Sequence, residues 1–219
     1  MAGGVLALWA AVGSPLSHLD HELLTAHMVQ HLLIMTVAAP LLLVAAPLLA
    51  TPRLAAAPGT LPGLARWLGH PVLCWLAGTL VVIVWHVPAA FALLGRSGAW
   101  HGFQHATFLV AGLLFWWPVV RPWPGLVRWP RWSIPLYLFL ATLPCDALSA
   151  FLAFSGRVVY PQYLEVENPL GLTPLADQAC AGAVMWTWVT FAYLVPAVVV
   201  TVKLLSAPPA GARHTVTPR

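Results

Sequence analysis

The chain has 219 residues, of which 60% are hydrophobic and only 7% are charged, against about 25% charged residues in typical soluble domains. Its net charge of +4 comes from basic residues scattered among polar segments, which excludes the concentrated basic surface of a nucleic-acid-binding protein. Three cysteines without a CxxC pair give no disulfide framework. Several apolar runs approach the roughly 20 residues that cross a bilayer as a helix, and none alternates like a barrel strand. The composition therefore predicts an all-α polytopic transmembrane helical bundle, surrounded by membrane lipid.

The apolar runs predict one partial and five full membrane spans. The N-terminal run, residues 4–13, is too short to cross a bilayer, and no Lys or Arg precedes it as in a secretory signal. Residues 1–16 are therefore interpreted as a partial span. The five full spans are predicted at about 23–50, 71–94, 101–120, 132–154 and 176–204. They form a single transmembrane domain over residues 1–205, followed by a polar tail over 206–219.

Alternate loops differ in basic charge. Eight of the ten Lys and Arg residues fall in one set of segments, namely 51–70, 121–131 and the tail from Lys203. The alternate set of loops holds only Arg96 and Arg157. Because cytoplasmic loops carry the excess of Lys and Arg, the C-terminus is predicted to be cytoplasmic, and the first full span begins at the outer face.

Five histidines lie toward the predicted outer ends of three spans. His27 and His31 open the first full span, and the pair His101 and His105 opens the third. An i, i+4 spacing puts both imidazoles of a pair on one helix face. His86 lies near the outer end of the second span, which runs in the opposite direction. All five are therefore predicted in one leaflet, and ionisable side chains inside a membrane indicate a functional site by default.

Imidazole is the commonest metal ligand and suits copper, zinc, iron and nickel, so one or two metal sites are predicted from these histidines. Met35, one further turn from His31, adds a thioether that suits Cu(I), although it also suits core packing. Copper is the predicted ion. Haem between two imidazoles is the alternative, ranked lower because it leaves the second histidine of each pair unexplained. Packing through interhelical hydrogen bonds is a further interpretation.

Two acids and a cysteine in the last two spans are candidate supporting residues. Asp146 and Asp177 map to the same leaflet, where they could hold imidazole N–H groups, bind metal or carry protons. Asp177 also stands at a helix start, where an acid is favoured as a cap. Cys180, one turn further on, is equally compatible with packing. A haem-b or dinuclear-metal redox protein and a copper or proton transporter therefore remain alternative functions.

The remaining polar residues give no catalytic motif. The sequence contains no HExxH, Walker A or GxSxG pattern, so a non-enzymatic protein is predicted. His18 and His21, in the polar connector ahead of the first full span, could form an uptake site for metal. Solvated loop residues are the simpler interpretation of both.

Several motifs together resemble the multi-spanning CtaG family of cytochrome c oxidase assembly factors, which is distinct from the single-span copper chaperone that shares the name. The stretches that carry the resemblance are Ser14-Pro15-Leu16, His27-Met-Val-Gln-His31-Leu-Leu-Ile-Met35, Trp85-His86-Val-Pro88, His101-Gly-Phe-Gln-His105-Ala-Thr-Phe, Phe115-Trp-Trp-Pro118, Asp177-Gln178, Ala181-Gly182 and Met185-Trp186. The doubled HxxxH with WHxP between is specific in combination, and the resemblance covers about residues 5–204. Family members usually have further N-terminal spans, and here the chain departs from them.

The resemblance implies a bacterial plasma-membrane protein that is needed to build a haem–copper terminal oxidase, by supplying copper, with the oxidase subunits as partners. In such oxidases the copper of the haem–copper centre lies within the membrane, nearer the outer face. A donor that holds copper at comparable depth could pass it sideways by ligand exchange. The expected copper ligands are His27, His31, His86, His101 and His105, with Met35, Asp146, Asp177 and Cys180 as candidate supporting residues.

Overall fold

The computed structural model describes residues 1–46, 69–120 and 129–206. These ranges are helical and contain no β-strand, which confirms the predicted all-α fold. In chain order the helices are α1 (Ala2–Val12), α2 (Leu16–Leu19), α3 (Leu24–Leu32), a π-helical segment (Leu33–Ala38), α4 (Ala39–Ala45), α5 (Pro71–His86), α6 (Pro88–Phe91), α7 (Gly98–Val120), α8 (Ser133–Phe154) and α9 (Pro174–Leu205). Short 3-10 turns occupy Leu94–Arg96 and Pro161–Leu164.

Within the described ranges, five helical stretches are long and apolar enough to cross a membrane. They are Ala2–Leu19, Leu24–Ala45, Gly98–Val120, Ser133–Phe154 and Pro174–Leu205. The last four agree with predicted full spans, although residues 47–50 of the first full span lie outside the described ranges. The N-terminal stretch is longer than the predicted partial span over 1–16, because α2 extends it to 18 residues. The predicted tail lies outside the described ranges from residue 207 onward.

The predicted span over 71–94 is broken rather than continuous. Its helix, α5, ends at His86, and the following helical stretch bends away by 74°. The break lies at Val87, which is extended (φ −66°, ψ 128°) and immediately precedes Pro88. A residue before proline is sterically disfavoured in the α conformation, so the Val-Pro sequence ends the helix. His86 consequently lies at a helix terminus and not within a continuous helix.

The first full span widens into a π-helix over its middle turn, Leu33–Ala38. Pro40, in the first turn of α4, has no N–H to donate to the carbonyl four residues earlier, and its ring crowds that carbonyl. The wider turn relieves the crowding, and its displaced groups find other partners. Trp116 donates an indole N–H to the Met35 carbonyl at 2.8 Å, and Trp188 donates to the Thr36 hydroxyl at 2.8 Å.

This first full span is the centre of the bundle. Helix α3 packs on α9, the π-segment packs on α1 and α7, and α4 packs on α7. The most extensive contact is that of α8 along α9. There Gly182 brings the two backbones together, because a Cβ on it would lie only 2.7 Å from the Ser149 oxygen and the Ala153 nitrogen. Small residues at such crossings permit close helix packing in membranes.

A candidate metal centre

His27 and His31 lie in the middle of the candidate metal centre, which is formed by the predicted histidines. Both project from α3 and are buried, with 1% and 5% of their surfaces exposed. Their ring centroids lie 4.1 Å apart. All four of their ring nitrogens are buried without a hydrogen-bond partner among the described residues. Buried polar atoms are nearly always paired, and a neutral imidazole offers one lone pair and one N–H, so the two rings are candidates to bind a metal ion or ordered water. The buried side chain of Gln104, whose polar atoms are likewise unpaired, lies beside His31.

His101 and His105 approach this pair from α7. The His101 ring lies 6.2 Å from the His27 ring, and the His105 ring lies 6.3 Å from the His31 ring. The two rings of the α7 pair are 6.4 Å apart. Both residues are half-buried. The two i, i+4 pairs therefore face each other between α3 and α7, as expected for two spans that both begin at the outer face.

His86 completes the set of five from the end of α5. Its ring lies 6.2 Å from the His31 ring. Its Nδ1 donates to the Val82 carbonyl at 2.7 Å, which fixes the neutral tautomer with the lone pair on Nε2. That Nε2 faces the Met28 sulfur at 3.2 Å. The break after His86 thus positions its ring against α3, and the structure brings all five predicted histidines together.

Asp20 is a member of the centre that sequence reasoning missed. It is buried in the connector before α3, and its carboxylate lies with the His27 and His101 nitrogens so that all three ligand atoms are within 4.8 Å of one another. His21 joins it, with its ring 4.7 Å from the His101 ring. Burial raises the pKa of the Asp20 carboxyl, and the nearby imidazoles of His21 and His101 act in the opposite direction. An acid within a histidine-rich connector was the available signal.

Two of the four candidate supporting residues, Met35 and Asp177, lie next to the histidine pair of α3, one in the same span and one on a neighbouring helix. Met35 is buried one turn beyond His31, on the π-segment. Asp177 accepts hydrogen bonds from the Leu24 N–H at 2.6 Å and from the Thr25 N–H at 3.2 Å. Its carboxylate therefore caps α3 from the neighbouring helix α9, because the first turn of a helix leaves its N–H groups without internal partners. Asp177 positions the His27 helix through this cap.

The other two candidates lie differently. Asp146 is half-buried on α8, with a buried Oδ1 that has no hydrogen-bond partner among the described residues. Cys180 is exposed on α9, so the structure does not bring it into the buried cluster. The cysteine that faces the centre is Cys145, which lines a cavity with His31 and His86.

A loop between α8 and α9 covers the outer end of the cluster, and sequence reasoning missed this cover. Tyr160 is fully buried, stacks on Phe91 at 4.2 Å and donates its hydroxyl to the His86 carbonyl at 2.9 Å. Tyr163 donates to the Asp20 carbonyl at 2.8 Å. Gln178 holds the loop by accepting from the Val159 N–H at 2.6 Å. The carbonyl at the end of α5 is therefore satisfied by a residue 74 positions away.

The residues present fit a metal ion. Neutral imidazoles with free lone pairs, one carboxylate and nearby thioethers are ligands for transition metals, and they converge from three helices and one connector. One nitrogen of each of the His27 and His31 rings, the one with the lone pair, is unpaired and could bind such an ion. Fold and site together define a polytopic helical membrane protein with a buried imidazole-rich centre.

The chain belongs to the cytochrome c oxidase caa3 assembly factor family (Caa3_CtaG), whose profile matches residues 2–207. It is also similar to uncharacterized proteins of Mycobacterium bovis (24% identity, covering 84% of this chain and 30% of the relative) and Mycobacterium leprae (25% identity, covering 93% and 32%). A protein of Mycobacterium tuberculosis matches as the first of these does. The chain thus spans about a third of the length of these relatives. No solved structure shows a significant similarity to it.

Proposed function

We propose that this protein binds copper at its five buried histidines and supplies it to a haem–copper terminal oxidase during assembly, without catalysing a reaction itself. Membership of a family of cytochrome c oxidase assembly factors supports the general role. The observation that carries the metal proposal is that both ring nitrogens of His27 and of His31 are buried without hydrogen-bond partners in the described part of the chain. Histidines that served only for packing would instead bond neighbouring carbonyls or hydroxyls.

The space around the cluster favours an ion over haem. The cavity beside His31 and His86 measures about 30 Å³, whereas drug-sized ligands occupy pockets of about 300–1,000 Å³. Aromatic rings close the flanks of the pair, since Phe91 lies 4.8 Å from His27 and Phe108 lies 4.1 Å from His31. The small cavity and the flanking rings support an ion in preference to a macrocycle as the bound group.

We place the histidine cluster in the outer leaflet of a bacterial plasma membrane, with the C-terminus in the cytoplasm. The excess of Lys and Arg in one set of loops supports this orientation. His21 is 61% exposed and stands beside the buried Asp20, so an ion can enter from the connector. Copper held at this depth would pass laterally to an oxidase subunit by exchange of ligands.

Complementation of cells that lack this protein tests the proposal. Cells receive the wild type, His27→Ala/His31→Ala or the control His70→Ala, which alters an exposed histidine that makes no side-chain cap at the start of α5. We expect the wild type and the control to restore copper in the purified terminal oxidase, and the double variant to leave it deficient. Full restoration by the double variant would contradict the proposal. A reduced spectrum of the wild type with split visible haem bands would favour the haem alternative.

A further inference from the structure

A small cavity beside the histidines is lined by sulfur. Its volume is about 30 Å³, and its wall includes the side chains of Met28, Met35, Met185 and Cys145. The chain has four methionines, and Met1 is the other one. Every internal methionine of the sequence therefore faces the same space, although they come from α3, the π-segment and α9. The residue spacing within a single helix does not explain why methionines from three elements meet at one cavity.

The geometry of His86 shows that one thioether faces an imidazole lone pair. Because its Nδ1 donates to the Val82 carbonyl at 2.7 Å, the neutral ring has no proton on Nε2. That nitrogen lies 3.2 Å from the Met28 sulfur, and a thioether has no proton to donate. Two lone pairs therefore face each other without a shared hydrogen. A cation bound by both atoms removes this conflict, since ligands at about 2.0–2.3 Å from one ion lie a few ångströms apart.

The ligand types select the ion. Thioether, thiol and imidazole are soft ligands that favour Cu(I), whereas carboxylates favour harder divalent ions. None of the described residues lining the cavity is a carboxylate. The outer part of the centre differs, because Asp20 joins His27 and His101 there. The centre thus has an outer side with oxygen and nitrogen ligands and an inner side with sulfur and nitrogen ligands.

We propose that the cavity lined by Met28, Met35, Met185 and His86 is an inner position for one monovalent copper ion, bound by thioether sulfur and by Nε2 of His86, a residue that it shares with the histidine cluster. This inference rests on the proposed function in one respect, namely that copper enters through the histidine cluster. The inner position holds copper in the reduced state, because a thioether set binds Cu(I) in preference to Cu(II). A cavity of this volume holds a single ion or water, so the stoichiometry is one.

The competing use of the methionines is to fill an irregular core. Leucine separates the two uses, because it is nearly isosteric with methionine and is tolerated in cores but offers no ligand atom. The variants are Met28→Leu alone and the triple exchange Met28→Leu/Met35→Leu/Met185→Leu. Cys180→Ser is the matched control, since this thiol is exposed and is not part of the cavity lining. His101→Ala/His105→Ala removes outer ligands and leaves the cavity lining intact.

The experiment measures Cu(I) affinity under anaerobic conditions against a chromogenic Cu(I) chelator, and the copper-edge X-ray absorption of the full-length protein in detergent. We expect sulfur scatterers at about 2.3 Å in the wild type, in Cys180→Ser and in the α7 double variant. Met28→Leu should weaken Cu(I) binding at least tenfold, and the triple exchange should abolish the sulfur signal while Zn(II) binding persists. A wild-type spectrum with nitrogen scatterers alone, or unchanged Cu(I) affinity in Met28→Leu, would overturn the inner position. Neither result would contradict the proposed function, because that proposal is tested separately by copper delivery in cells.

Discussion

Asp177 gives the prediction that the structure supports in most detail. Its carboxylate accepts from the Leu24 N–H at 2.6 Å, the Thr25 N–H at 3.2 Å and the Thr25 hydroxyl at 2.6 Å. The Asp177 side chain is 1% exposed, so the bond from the Leu24 N–H is shielded from water, and the two bonds from Thr25 are partly shielded. Replacement by alanine leaves the first turn of α3 without a cap, one turn ahead of His27.

The expected cost is about 3 kcal/mol. A buried donor left without its partner costs about 1–3 kcal/mol, and loss of a negative charge at a helix N-terminus adds about 0.3–1 kcal/mol. For a chain of this size, about 3 kcal/mol corresponds to a fall of roughly 6–12 °C in Tm. Asp177→Asn keeps an acceptor oxygen and should cost less than half of the alanine effect. Copper retention should fall with Asp177→Ala because His27 loses its fixed position.

The assay is thermal unfolding of the purified protein in detergent, followed by the loss of helical circular dichroism. Thr173→Ala is the matched control, since the Thr173 hydroxyl caps only its own helix, accepting from the Ala176 N–H at 3.2 Å in an exposed turn. It should cost about 1 kcal/mol and leave copper binding unchanged. An Asp177→Ala protein that unfolds at the wild-type temperature would refute the cross-helix cap.

Three further changes have defined outcomes. Gly182→Ala should lower the Tm by several degrees because its Cβ would meet backbone atoms at 2.7 Å. The control Gly102→Ala, whose Cβ would meet nothing within 4 Å, should leave the Tm unchanged or raise it. Equal effects of the two substitutions would contradict the close packing of α8 on α9. Tyr160→Phe leaves the buried His86 carbonyl without its donor and should cost about 1–3 kcal/mol, measured by the same unfolding. Asp20→Asn should weaken Zn(II) binding at least tenfold in a competition titration and spare Cu(I), and a parallel loss of both ions would count against an outer oxygen ligand.

The convergence of the histidines could be predicted from the sequence because it follows from two rules, the spacing of residues on a helix face and the direction of successive spans. An i, i+4 pair shares a helix face, and the alternating direction of the spans puts the beginnings of the first and third spans at the same membrane face as the end of the second. These rules placed His31 near His86 and His105, as the ring distances confirm. The composition likewise fixed the all-α class, since lipid leaves few other ways to satisfy the backbone.

The features that sequence reasoning missed depend on tertiary contacts or on local backbone strain. The break after His86 had a local signal in the Val87-Pro88 dipeptide, but proline within a membrane span is often tolerated. Folding of Tyr160 onto the His86 carbonyl joins positions 74 residues apart, and no periodicity encodes such a contact. Asp20 gains its place beside His101 only because the connector folds over α7. The role of Asp177 was open between cap and ligand, and the observed cap serves α3 rather than its own helix.

Copper bound per chain is the measurement that tests the central claim most directly. Wild-type protein, His27→Ala/His31→Ala and the control His70→Ala are purified under reducing, copper-replete conditions, and their copper is quantified after removal of loosely held metal. The account predicts at least one copper ion per chain in the wild type and in the control, and a clear loss of copper in the double variant, which lacks His27 and His31. A wild type without copper, or a double variant that retains the full amount, would contradict the claim that these buried histidines hold the ion.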